Sequence, residues 1–195
     1  MNHPLTNQAI KKSLLYKTVL LYGSLSFMGD VKKKQALSRS LGIAIVSHPF
    51  FQLLTGGNLG DEANGGGVDY HSAMGAGSFL ANKDLEQEKI VTLLPTNSDK
   101  GFFRLGRIKM DSSSDVNQRR KNLVAMADFV ITVEGGPGTL EILKYALSLQ
   151  TPILPIRDTG GVSEAIWEDN ILRNQLVPLL EKSSLFNKYF CEYFR

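Results

Sequence analysis

Short apolar runs alternate with amphipathic stretches along most of the chain. Five runs of five mainly apolar residues predict buried strands: 18–22, 50–54, 90–94, 129–133 and 152–156. Stretches with apolar residues at helical spacing lie between most of them. This alternation predicts an α/β fold. The chain should form a Rossmann-like, doubly wound, mainly parallel sheet with helices on both faces.

Four helices follow from the same pattern. They are predicted over 31–47 and 68–80, from a cap at Asp115, and after the glycines at 135–138. Segment 96–114 receives no assignment. Residues 180–195 carry aromatic side chains at helical spacing, which predicts a C-terminal helix. Its apolar side either packs on the chain's own body or forms the seam of a homodimer.

Length and composition narrow the class of protein. With 195 residues, 43% of them apolar and 21% charged, the chain is expected to form one globular domain over 1–195. The single cysteine, Cys191, cannot form an internal disulfide and favours a cytoplasmic location. A net charge of +3 without a long basic run argues against nucleic acid as a partner. No apolar run approaches the roughly 20 residues that span a bilayer, so no membrane association is expected.

The most specific motif lies between the strand at 129–133 and the helix after it. Here Gly135, Gly136 and Gly138 let the backbone approach an anion, and Thr139 adds a hydroxyl group. A helix N-terminus also offers free N–H groups and a partial positive charge. The motif therefore predicts phosphate binding, although a tight turn without a ligand could also use these glycines. It matches neither Walker A nor GxGxxG, which argues against a kinase or a dinucleotide oxidoreductase.

Small residues follow two other strands. Gly23 and Ser24 come after the first strand, and Thr55, Gly56 and Gly57 come after the second. Because the C-terminal ends of parallel strands lie on one rim of the sheet, where doubly wound folds bind ligands, these residues are predicted to contribute to the same site.

Two arginines precede the strand at 129–133. Arg119 and Arg120 lie in a helix that begins at the same rim, so both guanidinium groups should start near the glycines. Arg120 falls on the apolar side of that helix, which is costly unless it meets an anion. The alternative is a solvated basic pair at the helix edge. His48 and His71 lack ligand partners at metal-site spacing and are interpreted as satisfied surface or capping residues, so neither a metal nor a cofactor is predicted.

These residues resemble a known group of proteins. The matching positions are Arg119, 123–124, 127–128 and 135–139, with 55–57, Asp69 and 75–76 in the earlier half. They resemble the Lonely guy group, long mislabelled lysine decarboxylases, and the related molybdenum-cofactor carrier-like proteins. The resemblance implies a Rossmann-like nucleotide-binding fold, usually dimeric. In Lonely guy enzymes an Arg and a Glu support hydrolysis of the N-glycosidic bond of nucleoside 5′-monophosphates, and the Arg corresponds to Arg119.

The glutamate of this group has no counterpart here. The motif PGGxGTxxE places Ile142 at the Glu position and Glu134 at the Pro position, and Glu141 lies one residue early. Residues 134–139, together with 158–161 after the next strand, resemble the superfamily's sensor branch more closely. The sequence therefore favours binding or sensing of a phosphorylated nucleoside or nucleotide-sugar derivative. That branch includes the cytosolic ligand-binding region of melastatin-type channels. A phosphoribohydrolase using Arg119 with Glu134 or Glu141 is the second hypothesis, and a structural oligomer with an empty cleft is the third.

Overall fold

The computed structural model of the chain describes residues 16–61, 65–96, 101–113, 115–184 and 188. The apolar and aromatic stripe of the predicted C-terminal helix, which begins at Leu185, lies outside these residues, as does Cys191. Within the described residues no helix has the length and apolar character needed to cross a membrane.

A single sheet of six parallel strands forms the centre of the fold, in the order β4-β3-β2-β1-β5-β6. The strands are β1 (Lys17–Gly23), β2 (Phe51–Thr55), β3 (Ile90–Pro95), β4 (Arg107–Asp111), β5 (Phe129–Val133) and β6 (Ile153–Pro155). β1 pairs with β2 on one side and with β5 on the other, so the strand order reverses between β1 and β5. In doubly wound sheets the crevice at such a reversal binds ligands.

Helices cover both faces of this sheet, which confirms the predicted α/β architecture. Among the described residues they are α1 (Val31–Ser47), α2 (Val68–Leu80), α3 (Glu86–Lys89), α4 (Val116–Ala125), α5 (Pro137–Ser148), α6 (Gly161–Glu168) and α7 (Asn170–Lys182). Side chains alternate along β1: Val19 and Leu21 pack with α1 and α2, whereas Leu20 and Tyr22 pack with α4 and α5.

The structure adds one strand to the five that the sequence predicts. β4 lies in the unassigned segment 96–114 and forms one edge of the sheet. Its sequence, RIKMD, is mostly polar, and Lys109 and Met110 are exposed. An edge strand needs no continuous apolar run, because only one of its sides pairs with a neighbouring strand.

A buried histidine joins the first two helices. Arg39 of α1 donates from Nε to Nδ1 of His71 at 3.2 Å, and Nε2 of His71 lies 2.7 Å from the carbonyl oxygen of Gly65. His71 therefore carries its proton on Nε2, and at 3% exposure it is satisfied in the interior rather than at the surface. Burial lowers the pKa of His71, and the positive Arg39 lowers it further, while the bond to Gly65 opposes them.

His71 should make stability sensitive to acid. Because its pKa is lowered in the folded state, its contribution is present above the unfolded value of about 6.5 and is lost as pH falls below that value. We expect the free energy of unfolding, measured by denaturant titration, to decline between pH 7.5 and pH 5. The decline should be smaller in His71→Gln. Equal pH slopes in the two proteins would contradict this role.

Candidate functional site

β1 and β5 approach each other closely at the rim where the strand order reverses. Gly23 pairs with Val133, and a Cβ on Gly23 would lie only 2.1 Å from the Val133 carbonyl oxygen. The Ser24 amide donates to the same oxygen at 3.3 Å. No larger residue fits at position 23, so the predicted pair Gly23 and Ser24 borders the crevice between the two strands.

Residues 134–139, here called the glycine turn, lead from β5 into α5. Glu134 and Gly135 both have positive φ, 53° and 93°, and a Cβ on Gly135 would overlap the Thr139 hydroxyl at 2.1 Å. Gly136 is the N-cap of α5 and Pro137 its first residue, and no side chain of the described residues caps this end of the helix. A Cβ on Gly136 would meet none of the described atoms within 4 Å. The N-terminus of α5 is therefore open beside Gly136.

Arg120 lies against this N-terminus. Its Nη2 atom would be 2.7 Å from a Cβ on Gly138, its Nη1 donates to the Asn117 side chain at 2.7 Å, and its Nε lies 3.4 Å from the Tyr22 hydroxyl. A cation beside the positive end of a helix is electrostatically unfavourable on its own. Two sources of positive potential thus converge at the point where the sequence predicts a phosphate.

Arg119 reaches a different turn. Its Nη2 donates to the carbonyl oxygens of Gly56 and, at 3.3 Å, of Leu93, and its guanidinium carbon lies 4.9 Å from the centre of the Phe102 ring. Its buried Nε has no partner among the described residues. The sequence predicts that both guanidinium groups lie near the glycine turn. Arg120 does lie there, whereas Arg119 contacts the turn after β2.

That turn, residues 55–58 and here called the β2 turn, is organised by a buried carboxylate. Asp69 is 3% exposed and accepts from the backbone and side-chain nitrogens of Asn58 at 3.2 and 2.9 Å. Burial raises the pKa of Asp69, opposed by the bonds from Asn58 and by the charge of Arg119. A Cβ on Gly56 would lie 2.9 Å from Asp69 Oδ2 and 3.1 Å from Arg119 Nη2, so only glycine fits between these charges.

The rest of the β2 turn leads into a segment with a cavity. The Gly57 amide donates to the Thr55 hydroxyl at 3.1 Å, which fixes the predicted residues Thr55 and Gly57 in place. Among the described residues, a recess of about 280 Å³ after this turn is lined by Leu59, Gly65, Gly66 and Tyr70. The Tyr70 ring contacts Phe103 edge to face, with ring centres 6.2 Å apart. A flat apolar group could occupy this recess.

The two candidate catalytic carboxylates have other partners. Glu134 accepts from Lys34 at 2.9 Å and from the Met28 amide at 3.0 Å. Glu141 pairs with Lys144 at 3.0 Å on a partly exposed face of α5. Within the described residues, neither forms an ion pair with Arg119 or Arg120.

Ile142, at the position of the Lonely guy glutamate, is fully buried in the core that contains Tyr22 and Leu123. The side chain at this position therefore packs against the sheet instead of supplying a carboxylate to the rim.

The segment after β6 forms hydrogen bonds with the backbone of the glycine turn. The Glu134 amide donates to the Thr159 hydroxyl at 2.9 Å. The first amides of α6, Val162 and Ser163, donate at 2.9 Å to the carbonyl oxygens of Gly135 and Glu134. These bonds fix the backbone of the turn.

Several residues of the rim carry no signal in the sequence. Tyr22 lies inside an apolar run, Lys34 belongs to a short basic run, and Asn58 and Phe102 stand in segments without clear periodicity. Their contacts with the predicted residues join positions as much as 100 residues apart, as in the Lys34–Glu134 pair. Only the fold brings them together.

Comparison with known proteins identifies the fold. No family model and no curated protein matches the chain. The molybdenum cofactor carrier protein from Chlamydomonas reinhardtii does match in structure, with a TM-score of 0.60 and 19% identity over 83% of this chain and 87% of that one. The chain has the fold of the molybdenum-cofactor carrier proteins. The resemblance that the sequence indicates is thereby confirmed at the level of fold.

Two further solved structures show how widely this fold is used. The molybdenum cofactor binding protein from Rippkaea orientalis has a TM-score of 0.55 and 23% identity, covering 83% of this chain and 86% of its own. DNA processing protein A from Helicobacter pylori, described for its binding of single-stranded DNA, has a TM-score of 0.52 and 17% identity, covering 88% and 83%. The expectation that this chain does not bind nucleic acid therefore stays a prediction.

Proposed function

We propose that this protein binds a phosphorylated nucleoside or a nucleotide-sugar derivative at the rim between β1 and β5. The phosphate would lie at the open N-terminus of α5, beside Gly136, and pair with Arg120. The observation that carries this proposal is the position of the Arg120 guanidinium against Gly138.

The electrostatics of this end of α5 favour an anion. The partial positive charge at a helix N-terminus and the charge of Arg120 repel each other, and an anion between them is attracted to both. Charge-assisted hydrogen bonds from guanidinium to phosphate are worth about 1.5 to 3 kcal/mol each. Among the described residues no side chain caps this helix. Pro137 has no N–H and the Thr139 amide donates to the Gly136 carbonyl oxygen at 2.9 Å, so the Gly138 amide is the donor of the first turn that can face a ligand.

The β2 turn and its recess would hold the rest of the ligand. Arg119 and Asp69 place a cation and an anion at the turn, and Tyr70, packed against Phe103, offers aromatic surface to the recess. A nucleoside combines polar edges with a flat ring, which suits this mixture. The solved structures named for molybdenum-cofactor binding support a ligand-binding role of the fold. We further propose a single-domain, homodimeric, cytoplasmic protein.

We expect binding of nucleoside 5′-monophosphates without cleavage. Breaking an N-glycosidic bond requires a carboxylate that stabilises positive charge on the sugar or activates water. Ile142 can do neither, and Glu134 and Glu141 are paired with lysines. Calorimetry with a panel of monophosphates and nucleotide sugars should show binding, while chromatography of the same mixtures should show no free base.

Two results would overturn this proposal. One is the absence of binding to every phosphorylated nucleoside at concentrations up to about 1 mM. The other is sustained release of base and ribose 5-phosphate that collapses in Glu134→Gln or Glu141→Gln, which would establish the phosphoribohydrolase instead.

A further inference from the structure

We propose that Glu134 and Lys34 form a subsite for a ribose hydroxyl beside the glycine turn, so that the protein distinguishes ribose phosphates from their deoxy analogues. The inference rests on the proposed function, because the sugar would be attached to the phosphate held at Gly136 and Arg120.

Glu134 has a buried carboxylate, and one of its oxygens accepts no hydrogen bond from the described residues. Its side chain is 6% exposed. Oε1 accepts from the Met28 amide at 3.0 Å and from Lys34 at 2.9 Å. Oε2 is buried and has no hydrogen-bond partner among the described residues. Leaving a buried carboxylate oxygen unpaired costs free energy, which a donor from a ligand would recover.

The backbone at Glu134 points in the same direction. Its φ of 53° lies in the left-handed region, which is unfavourable for a residue with a side chain and would suit glycine. Strain of this kind persists where the surrounding structure enforces it, and it clusters at ligand-binding sites. A carboxylate is thus held in a costly conformation at the first residue of the turn predicted to bind phosphate.

Lys34 supplies the complementary donor. Its ammonium group donates to the Met28 carbonyl oxygen at 2.6 Å and to Glu134 Oε1 at 2.9 Å. An ammonium has three N–H donors, so within the described part of the chain one donor is left beyond these two bonds. A Cβ on Gly160 would lie 3.8 Å from the Lys34 Nζ atom, so Gly160 does not crowd the ammonium group.

The chemistry of this pair selects a hydroxyl group. A second phosphate would be repelled by the Glu134 carboxylate, and an ammonium group would be repelled by Lys34. A hydroxyl can donate to Oε2 and accept from Lys34 at the same time. Only Gly135 separates Glu134 from Gly136 along the chain, and we therefore assign the hydroxyl and the phosphate to neighbouring parts of one ligand, as in ribose 5-phosphate.

Sugar phosphates without a base test this directly. We expect ribose 5-phosphate to bind the wild-type protein about 10- to 100-fold more tightly than at least one of 2-deoxyribose 5-phosphate and 3-deoxyribose 5-phosphate. In Glu134→Gln this ratio should fall at least about fivefold, because a neutral acceptor replaces a charged one. The matched control is Asp128→Asn, which removes the carboxylate of another lysine pair at the opposite end of the sheet and should keep the wild-type ratio.

The outcomes separate this inference from the proposed function. If ribose and both deoxyribose phosphates bind wild type equally, or if Glu134→Gln weakens all of them by the same factor, the subsite is wrong. The proposed function then stands as long as binding requires Arg120. If only complete nucleotides bind, the same ratios are measured on the monophosphate that binds and on its 2′- and 3′-deoxy forms. If Glu134→Gln does not fold, as judged by thermal unfolding, Lys34→Gln takes its place under the same criterion.

Discussion

Gly136→Val is expected to fold like the wild-type protein and to lose all measurable binding of phosphorylated nucleosides. Among the described residues a Cβ at this position meets no atom within 4 Å, and the backbone has a φ of −121°, outside the left-handed region, with a ψ of −149° just beyond the β region. Loss of a glycine at an N-cap should lower the free energy of unfolding by no more than about 1 kcal/mol. The added methyl groups would occupy the space through which a phosphate approaches the N-terminus of α5.

The neighbouring glycine is the matched control for this substitution. Gly135→Val places a side chain at a φ of 93° and against the Thr139 hydroxyl, so it should lose stability and binding together. Thermal unfolding and calorimetry on both variants separate the two effects. If Gly136→Val unfolds, or if it folds and binds like wild type, the turn shapes the backbone only and the phosphate site is wrong.

Arg120→Ala should weaken binding of the same ligands about 10- to 150-fold, which corresponds to the loss of a charge-assisted contact of about 1.5 to 3 kcal/mol. Gly138→Ala should reproduce part of this loss without removing any charge, because its methyl group would displace the guanidinium. The exposed Lys121, next in the same helix, provides the control: Lys121→Ala changes the net charge equally and should bind like wild type.

Arg119→Ala should behave differently from Arg120→Ala. Arg119 bonds to the carbonyl oxygens of Gly56 and Leu93, so its loss should disturb the β2 turn. Calorimetry distinguishes the two residues by whether inorganic phosphate competes with the nucleotide ligand. This competition should be lost in Arg120→Ala and retained in Arg119→Ala. Unchanged phosphate competition in Arg120→Ala would refute the assignment of the phosphate to α5.

Much of this fold is encoded locally. Buried strands such as β1 and β5 are continuous apolar runs, and α1 begins at a cap and ends before a proline, so each is recognisable from its own residues. β4 is not, because an edge strand with exposed residues needs no such run. The helical wheel also places Arg120 toward the sheet, where it meets Tyr22.

The parts of the site that escape sequence analysis depend on long-range contacts. Nothing near Lys34 indicates that it pairs with Glu134, and nothing near Arg119 indicates that it reaches Gly56 instead of the glycine turn. The direction of a long side chain at the rim is decided by which loops the fold places beside it. A pattern of residue types along the chain contains no such information.

Hydrogen bonds join the glycine turn to Thr159 and to the start of α6. They determine how short a fragment of the chain could be and still bind the ligand. Every residue predicted to bind phosphate lies before Ser148, the last residue of α5, so a chain ending there would contain all of them. It would nevertheless lack the hydroxyl that accepts from the Glu134 amide and the two amides that donate to Glu134 and Gly135. Glu134, strained at a positive φ, and its neighbour Gly135 would then have no such support. The ligand-binding residues and the residues that give them their shape are therefore separate stretches of chain.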